Sequence, residues 1–339
     1  MNSTPSSVNP VTFLSHFTLL PFRSDSCFFV VTAIMAQSQK VLVLGAGELG
    51  LTLLESLTKH PEHHTAKLSV LLRPASINST ATQKQKEIAH LQSLGVALQP
   101  GDVVESSVQE LADIFKSYDT IVSCNGMSLP SGTQLKLTEA VLEAGVPRYF
   151  PWQFGMDYDV IGQGSSQDLF DEQLAVRKKL RDQKKTEWTI VSTGLFMTFL
   201  FLTDFGVVDL ESKTIHALGS WDNEITVTLP RDIGRIVADI VLEPKGVSEV
   251  VYTAGDTASY AKIAELVKAR FTGVEFKAEL WDMETLNQQV KDEVPVAKYR
   301  ATFGEGKGVA WGMNDTINVA RGIKVTSLED YLRELPDLA

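Results

Sequence analysis

The run Lys40-Val41-Leu42-Val43-Leu44-Gly45-Ala46-Gly47-Glu48-Leu49-Gly50 constrains this chain more than any other segment. It reads as a buried strand that enters a glycine turn and leaves as a helix, the arrangement through which an open parallel sheet receives a dinucleotide. Gly45 allows the tight turn, Gly47 lets the backbone approach a pyrophosphate, and Gly50 lets the helix pack closely on the sheet. Glu48 and Leu49 then begin the helix whose first N–H groups face the phosphates. Three glycines alone mark many tight strand-to-helix turns. Here an apolar strand precedes them and an amphipathic helix carrying Leu49, Leu51, Leu53, Leu54 and Leu57 follows, which favours cofactor binding over a bare turn.

The next strand, Leu68-Ser69-Val70-Leu71-Leu72, ends in Arg73. A NAD-binding fold places an acidic residue at about this distance to hold the ribose hydroxyls. An arginine instead pairs with a 2′-phosphate and stacks on adenine, so the expected cofactor is NADP(H). The bland alternative is a solvated strand-end arginine, disfavoured because no acidic residue competes for the position.

The chain has 339 residues, 44% of them hydrophobic, which is enough for a large core in one or two domains. Its net charge of −11 argues against a broad nucleic-acid surface and against anionic membranes, leaving small molecules as the expected partners and permitting a homodimer. Only Cys27 and Cys124 occur, too few for a disulfide framework or a cysteine zinc site, so a reducing, cytoplasmic setting is expected. Residues 1–34 carry one arginine, Arg23, and one acid, Asp25, and fit neither a secretory nor a mitochondrial leader. They read as an extension that is disordered or untranslated, with Met35 as the true start. No later segment reaches the ~20 apolar residues that cross a bilayer.

From Lys40 onward strand and helix alternate, which predicts a parallel sheet covered on both faces. Strands are expected over 40–45, 67–72, 95–99, 119–123, 148–151 and 187–193, with helices near 48–59, 83–94, 107–116, 131–144 and 167–184. After Gly194 the rhythm loosens into strands near 214–217, 224–228, 248–253 and 275–281 and helices near 230–241, 259–270 and 327–334. The expected fold is therefore an α/β, Rossmann-like doubly wound parallel sheet with a smaller C-terminal substrate lobe. Residues 35–194 form the NADP-binding domain, and 195–339 the lobe, with segments returning to the main domain.

Beyond the glycine turn, several segments agree in order and spacing. They are Arg73-Pro74, Leu94-Gly95-Val96, Gly101-Asp102, Ala144-Gly145-Val146-Pro147-Arg148-Tyr149-Phe150-Pro151, Phe154-Gly155-Met156-Asp157-Tyr158-Asp159, Gly219-Ser220-Trp221-Asp222-Asn223 and Tyr252-Thr253-Ala254-Gly255-Asp256. Together they resemble the NmrA-like, isoflavone-reductase-like branch of the atypical short-chain reductases, nearest to fungal aromatic alcohol reductase (CipA-type) members. The resemblance implies an NADPH-dependent reductase of aromatic, phenylpropanoid or polyketide-like metabolites in secondary metabolism. It further implies that Gly45, Gly47 and Gly50 hold the pyrophosphate, Arg73 and Lys84 the 2′-phosphate, and that Phe154 lies near the nicotinamide. Lys84 has a nearly equal reading as a solvated lysine beside Lys86. Ser123, Cys124, Asn125 and Gly126 pass the cofactor, with backbone contacts, and Cys124 reads as a packing residue rather than a nucleophile.

The departures from the family pattern bear on mechanism. The resemblance implies a catalytic lysine, as in many plant members, in the helix after the Phe-Gly-x-Asp segment, whereas Leu169-Phe170-Asp171-Glu172-Gln173-Leu174 places Gln173 there. Glutamine cannot deliver a proton, but it can hydrogen-bond a carbonyl or position water. No tyrosine has a lysine four residues on. The expected division of labour is that Gln173 orients substrate or water while Tyr158 supplies any proton; Lys178 and Lys179 read as a solvated face. No metal is expected, because His60-Pro61-Glu62-His63-His64 lacks helical ligand spacing. His216 reads as a satisfied structural histidine. Trp152, Phe196, Phe199, Phe201 and Trp221 are candidates to line an aromatic pocket, with Phe199 and Phe201 assigned to the core. Two other readings stay open: an NADP(H)-sensing regulator without turnover, and a dehydratase or cyclase that reuses the nucleotide lobe. Truncation to Met35 is expected to leave folding intact, and loss of the cooperative thermal transition or of NADPH affinity in that protein would refute the expectation.

Overall fold

A computed structural model describes residues 38–126, 129–243 and 248–338; the expectations for residues 1–34 lie outside the described residues. In chain order the first part runs β1 (Gln39–Leu44), α1 (Glu48–Lys59), β2 (Ala66–Leu72), α2 (Pro74–Ile77), α3 (Thr82–Ser93), β3 (Ala97–Pro100), α4 (Val108–Phe115), β4 (Thr120–Ser123), α5 (Thr133–Ala144), β5 (Arg148–Phe150), α6 (Tyr158–Ile161), α7 (Asp168–Arg181) and β6 (Glu187–Ser192). The second part runs β7 (Leu195–Phe196), β8 (Val208–Asp209), β9 (Thr214–Leu218), β10 (Glu224–Thr228), α8 (Pro230–Val241), β11 (Glu249–Tyr252), β12 (Asp256–Ser259), α9 (Tyr260–Arg270), β13 (Lys277–Trp281), α10 (Met283–Lys291), α11 (Ala297–Glu305), α12 (Ile317–Ala320) and α13 (Leu328–Glu334).

β1 is apolar on both sides because both sides are covered. Val41 and Val43 enter one core with Leu53, Leu57 and Ile236, while Leu42 and Leu44 enter the opposite core with Phe115 and Leu137. Seven parallel strands follow the order β11-β6-β5-β4-β1-β2-β3, a Rossmann-like sheet. The direction of winding reverses between β1 and β4, and this opens the crevice at their carboxyl ends where α/β sheets bind ligands.

Two expectations need correction. The third strand begins at Ala97 rather than residue 95, because Gly95 turns the chain at φ +75° to end α3. The segment near 248–253 is not a strand of a small lobe sheet; β11 pairs with β6 at the edge of the main sheet. Likewise α8 lies against α1, where the Thr52 hydroxyl donates to the Pro230 carbonyl at 3.1 Å. The rest of the second part builds two three-stranded sheets, β12-β10-β7 and β13-β9-β8, around a separate apolar cluster that includes Phe205, Ile215, Phe276 and Phe303. Sequence reading missed β7, β8 and β12, the short helices α2, α6 and α12, and both α10 and α11.

One buried cation organises the loop after β5. Arg177 on α7 is fully buried; its Nε donates to Gln153 Oε1 (2.8 Å) and its NH1 pairs with Asp159 (2.7 Å) and Asp157 (3.3 Å). The hydrogen bond from Arg181, with Arg177 adding to it, pulls the Asp159 carboxyl down to about 2. Tyr252 on β11 donates to the other Asp157 oxygen at 2.7 Å, so three elements share one carboxylate cluster. Removing one partner of a buried pair strands the other, and Arg177→Met is expected to lower unfolding free energy by about 3 kcal/mol in urea titration. The folded-state carboxyl of Asp159 is depressed, so its contribution is present at neutral pH and lost as pH falls from about 4 towards 2. The parent should therefore show an acid-dependent loss in that window that Arg177→Met reduces.

Candidate functional site

The β1–α1 turn forms the floor of a groove. Gly45 sits at φ +87°, and a Cβ there would lie 1.9 Å from Asn125 Oδ1, so both the turn and the approach of β4's end exclude a side chain. A Cβ at Gly50 would lie 2.2 Å from the Gly45 carbonyl, whereas one at Gly47 would meet nothing within 4 Å. The Gly47 backbone thus faces open space. No side chain caps α1, leaving its first N–H groups available to an anion. Arg73, Ser76 and Lys84 line the far end of the same groove, and Gly101, Asp102 and Asn125 its side.

Arg73 is exposed and makes no ion pair among the described residues. Lys84 pairs with Glu87 at 2.6 Å, so it would have to exchange a carboxylate for a phosphate. Asn125 is held from behind: its carbonyl accepts from Gln134 Nε2 at 2.9 Å. The Glu172 carboxylate in turn accepts from the N–H groups of Gly132 (2.9 Å), Gln134 (2.7 Å) and Leu135 (3.2 Å), completing the start of α5. Sequence reading missed both Gln134 and Glu172. A carboxylate aimed at a distant helix start leaves no local pattern.

On the other side of the glycine turn lies a cavity of about 290 Å³, near the lower end for small-molecule sites. Glu48, Leu49, Cys124 and Gly126 form its edge with the groove, and Trp152, Phe154, Tyr158, Phe196, Phe199, Tyr299 and Phe303 its walls. Two backbone N–H groups, of Thr193 (2.8 Å) and Gly194 (3.0 Å), donate to the Gly155 carbonyl and fix the loop that carries Phe154 and Tyr158. Burial pushes the Tyr158 phenol up, with Arg177 and the Met156 backbone opposing it, so it is a neutral donor. Burial likewise raises the Cys124 thiol, which leaves it without thiolate character, and the Glu48 carboxyl.

Gln173 is not brought to this wall. It is fully buried, and its Oε1 accepts from Gln153 Nε2 at 2.9 Å. The amide orientation is dictated: Arg177 can only donate, so Gln153 presents its oxygen to Arg177 and its NH₂ to Gln173. Gln173 Nε2 then has no partner among the described residues. The expectation that Gln173 touches substrate is therefore corrected to a place behind the cavity.

The aromatic candidates divide differently from expectation. Phe199, assigned to the core, does pack against it and also lines the cavity, edge-on to Phe196 at 6.0 Å. Phe201 packs on Tyr331 and Trp221 on the core beyond. Lys178 and Lys179 pair with Asp182 and Glu139. His216 bonds the Gly206 carbonyl (2.7 Å) and Glu279 (3.1 Å) and stacks on Trp281. His63 and His64 lie in a single helical turn before β2. Among the described residues no helix is long and apolar enough to cross a membrane.

Fold and site together define a Rossmann-like α/β protein whose glycine-rich groove opens beside an aromatic cavity. The model of the NmrA-like family matches residues 37–332, and the chain belongs to that family. It is 65% identical over 299 residues to an "NmrA-like family domain-containing oxidoreductase" of Gibberella moniliformis (strain M3125 / FGSC 7600), covering 88% of this chain and 98% of the relative. An isoflavone reductase structure superposes with a TM-score of 0.71 at 18% identity, over 88% of this chain and 99% of that one. The leucoanthocyanidin reductase–NADPH complex from Vitis vinifera superposes with a TM-score of 0.70 at 17% identity, over 87% and 98%. These two likenesses show the shared fold.

Proposed function

We propose that the chain is an NADPH-dependent oxidoreductase that reduces an aromatic, phenylpropanoid or polyketide-like small molecule in secondary metabolism. The observation that carries this reading is the junction at the start of α1, where a groove with unpartnered backbone N–H groups ending in Arg73 meets a cavity walled mostly by apolar and aromatic side chains. A cofactor laid along the groove would have its phosphates at Gly45–Gly50 and its nicotinamide at Phe154, at the mouth of that cavity. The open face of Gly47 fits a pyrophosphate, and the unpaired Arg73 guanidinium fits a 2′-phosphate. The name of the Gibberella relative and the NADPH in the Vitis complex agree with this.

When bound, NADPH supplies the hydride. The chain's own residues do the rest. The N–H groups at Glu48 and Leu49 and the turn glycines bind phosphate; Arg73, with Lys84 once released from Glu87, selects the 2′-phosphate. Trp152, Phe154 and Phe196 exclude water and hold an aromatic body against the nicotinamide site. Tyr158 holds a proton at its phenol oxygen, where it can meet negative charge developing on a substrate oxygen. Gln173 acts from behind the wall through Gln153, not on the substrate. A second reading, an NADP(H) sensor without turnover, is favoured by one observation: among the described residues no lysine lines the cavity.

Arg73→Ala should weaken NADPH by roughly 1–3 kcal/mol and leave NADH nearly unchanged in calorimetric titration, while equal parental affinities for the two cofactors would sink the assignment. Tyr158→Phe should lower turnover on an accepted aromatic substrate by roughly 10²-fold with NADPH affinity retained. Parental turnover in that variant, with the chemical step limiting, would show that Tyr158 is not the proton source. Tight NADPH binding with no NADPH consumed across a panel of aromatic ketones and enones would instead establish the sensor.

A further inference from the structure

We propose that the Tyr299 hydroxyl is the donor that anchors a substrate oxygen in the aromatic cavity, making α11 the element that selects oxygen-bearing aromatics over hydrocarbons. This rests on the reductase reading above. It assigns the cavity's ligand recognition to a residue outside the Rossmann strands and outside every motif read from the sequence.

The cavity wall offers few polar side-chain groups: the Glu48 carboxylate, the Cys124 thiol, the Trp152 indole N–H, and the phenols of Tyr158 and Tyr299. Three of the five are committed or badly placed for a neutral oxygen, and the fourth, Tyr158, is the group to which the reading above assigns the proton for the reacting oxygen. Glu48 is exposed at the edge shared with the phosphate groove and accepts rather than donates when ionised. Cys124 is a buried, weak donor. The Trp152 indole nitrogen lies against Gly126, where a Cβ would come within 2.4 Å of it. The Tyr158 hydroxyl is folded over Gly155, where a Cβ would come within 2.4 Å, and meets the Met156 backbone.

Tyr299 differs from these. It is mostly buried and lines the cavity, yet its hydroxyl has no hydrogen-bond partner among the described residues and is not among the sealed, unpartnered atoms. A phenol in this state is open to a ligand, and a hydroxyl removed from bulk water gains most from an acceptor brought to it. Burial and the neighbouring Tyr158 both push the Tyr299 phenol up, so it stays a donor across neutral pH.

The backbone under Tyr299 is held where a relaxed chain would not go. Val296, which begins α11 and also lines the cavity, has φ +56°, and Glu293 shortly before it has φ +54°. A β-branched residue in the left-handed region persists only where its surroundings over-determine it. Here they do. Arg300 donates from Nε to the Phe205 carbonyl (3.0 Å) and from NH1 to Gln289 on α10 (3.0 Å), and its NH2 reaches the Asp204 carbonyl. Lys298 pairs with Asp168 at the start of α7. The Tyr299 ring stands edge-on to Phe170 at 5.6 Å, and Phe170 in turn packs on Tyr158 at 4.9 Å, so the two phenols flank one ring.

The test is a ligand pair measured on the NADP⁺ complex, which has no hydride to give: 1-acetylnaphthalene, which offers one carbonyl acceptor, and 1-isopropenylnaphthalene, which has the same shape without it. Tyr299→Phe keeps the ring contact with Phe170 and removes only the hydroxyl. The ratio of hydrocarbon Kd to ketone Kd is expected to fall roughly 2- to 10-fold in this variant, with hydrocarbon affinity, NADPH affinity and thermal midpoint retained. An unchanged ratio in a folded, NADPH-binding Tyr299→Phe protein overturns the role of Tyr299 while leaving the reductase reading in place. A parental NADP⁺ complex that binds neither probe overturns the aromatic-substrate reading, and the role of Tyr299 with it.

Discussion

A guanidinium sealed from water must place all its donors on acceptors, and the way Arg177 does this sets much of the site. Its partners are Gln153, Asp157, Asp159 and Ser192, and its charge lies 5.0 Å above the centre of the Tyr158 ring. Every one of these except Ser192 belongs to the stretch that runs from the end of β5 into α6. That stretch carries Phe154 and Tyr158 into the cavity, so the wall's shape follows from satisfying one buried cation. The Asp157 backbone N–H, donating to the Gly308 carbonyl at 2.8 Å, ties the same loop to the chain beyond α11.

The helix that bears Arg177 acts on both halves of the site. Phe170 packs on Tyr158 and Tyr299 in the aromatic cavity, while Glu172 completes the start of α5, from which Gln134 holds the Asn125 carbonyl. Asn125 stands against Gly45 in the phosphate groove. A change in the position of α7 would therefore reach the cofactor turn through two hydrogen-bonded steps and the substrate wall through direct ring contact. Helical spacing explains how one element does this: Phe170, Gln173 and Arg177 fall on one stripe, with Glu172 and Val176 beside it, and all five are buried.

The first-half fold was legible because its signals are local. β1 is apolar from Val41 to Leu44, the glycines follow it at once, and Ser107 with Glu110 forms a capping box that opens α4. Arg73, at the end of β2, was legible for the same reason; Lys84 came only from the family resemblance, and both share a groove with Gly45, Gly47 and Asn125. The interior of α7 was not legible. A charge-rich helix reads as a solvated surface, and nothing near Glu172 or Arg177 in sequence announces that their partners lie on α5 and in the loop after β5. Nor was β11, since an apolar strand reads alike at the edge of either sheet, and only the free edge of β6 decides its place. Tyr299 and Val296 belong to α11, a helix of weak amphipathic pattern that begins on a left-handed valine. No propensity predicts a helix start of that kind.

The same network gives a physical reason for glutamine at position 173, where the family resemblance leads to the expectation of a lysine. Arg177 already places one buried positive charge in contact with Gln153, and Gln153 hands its NH₂ to residue 173. An ammonium at this buried position would replace the acceptor of that NH₂ with a second cation near Arg177, so both desolvation and repulsion oppose it. A neutral amide whose oxygen accepts from Gln153 satisfies the pair, and the cost is confined to one unpartnered NH₂ group. Once the buried charge is committed to holding the wall, proton and hydrogen-bond chemistry in the cavity falls to groups that are neutral when buried. The described wall supplies two phenols, Tyr158 and Tyr299, held on either side of Phe170.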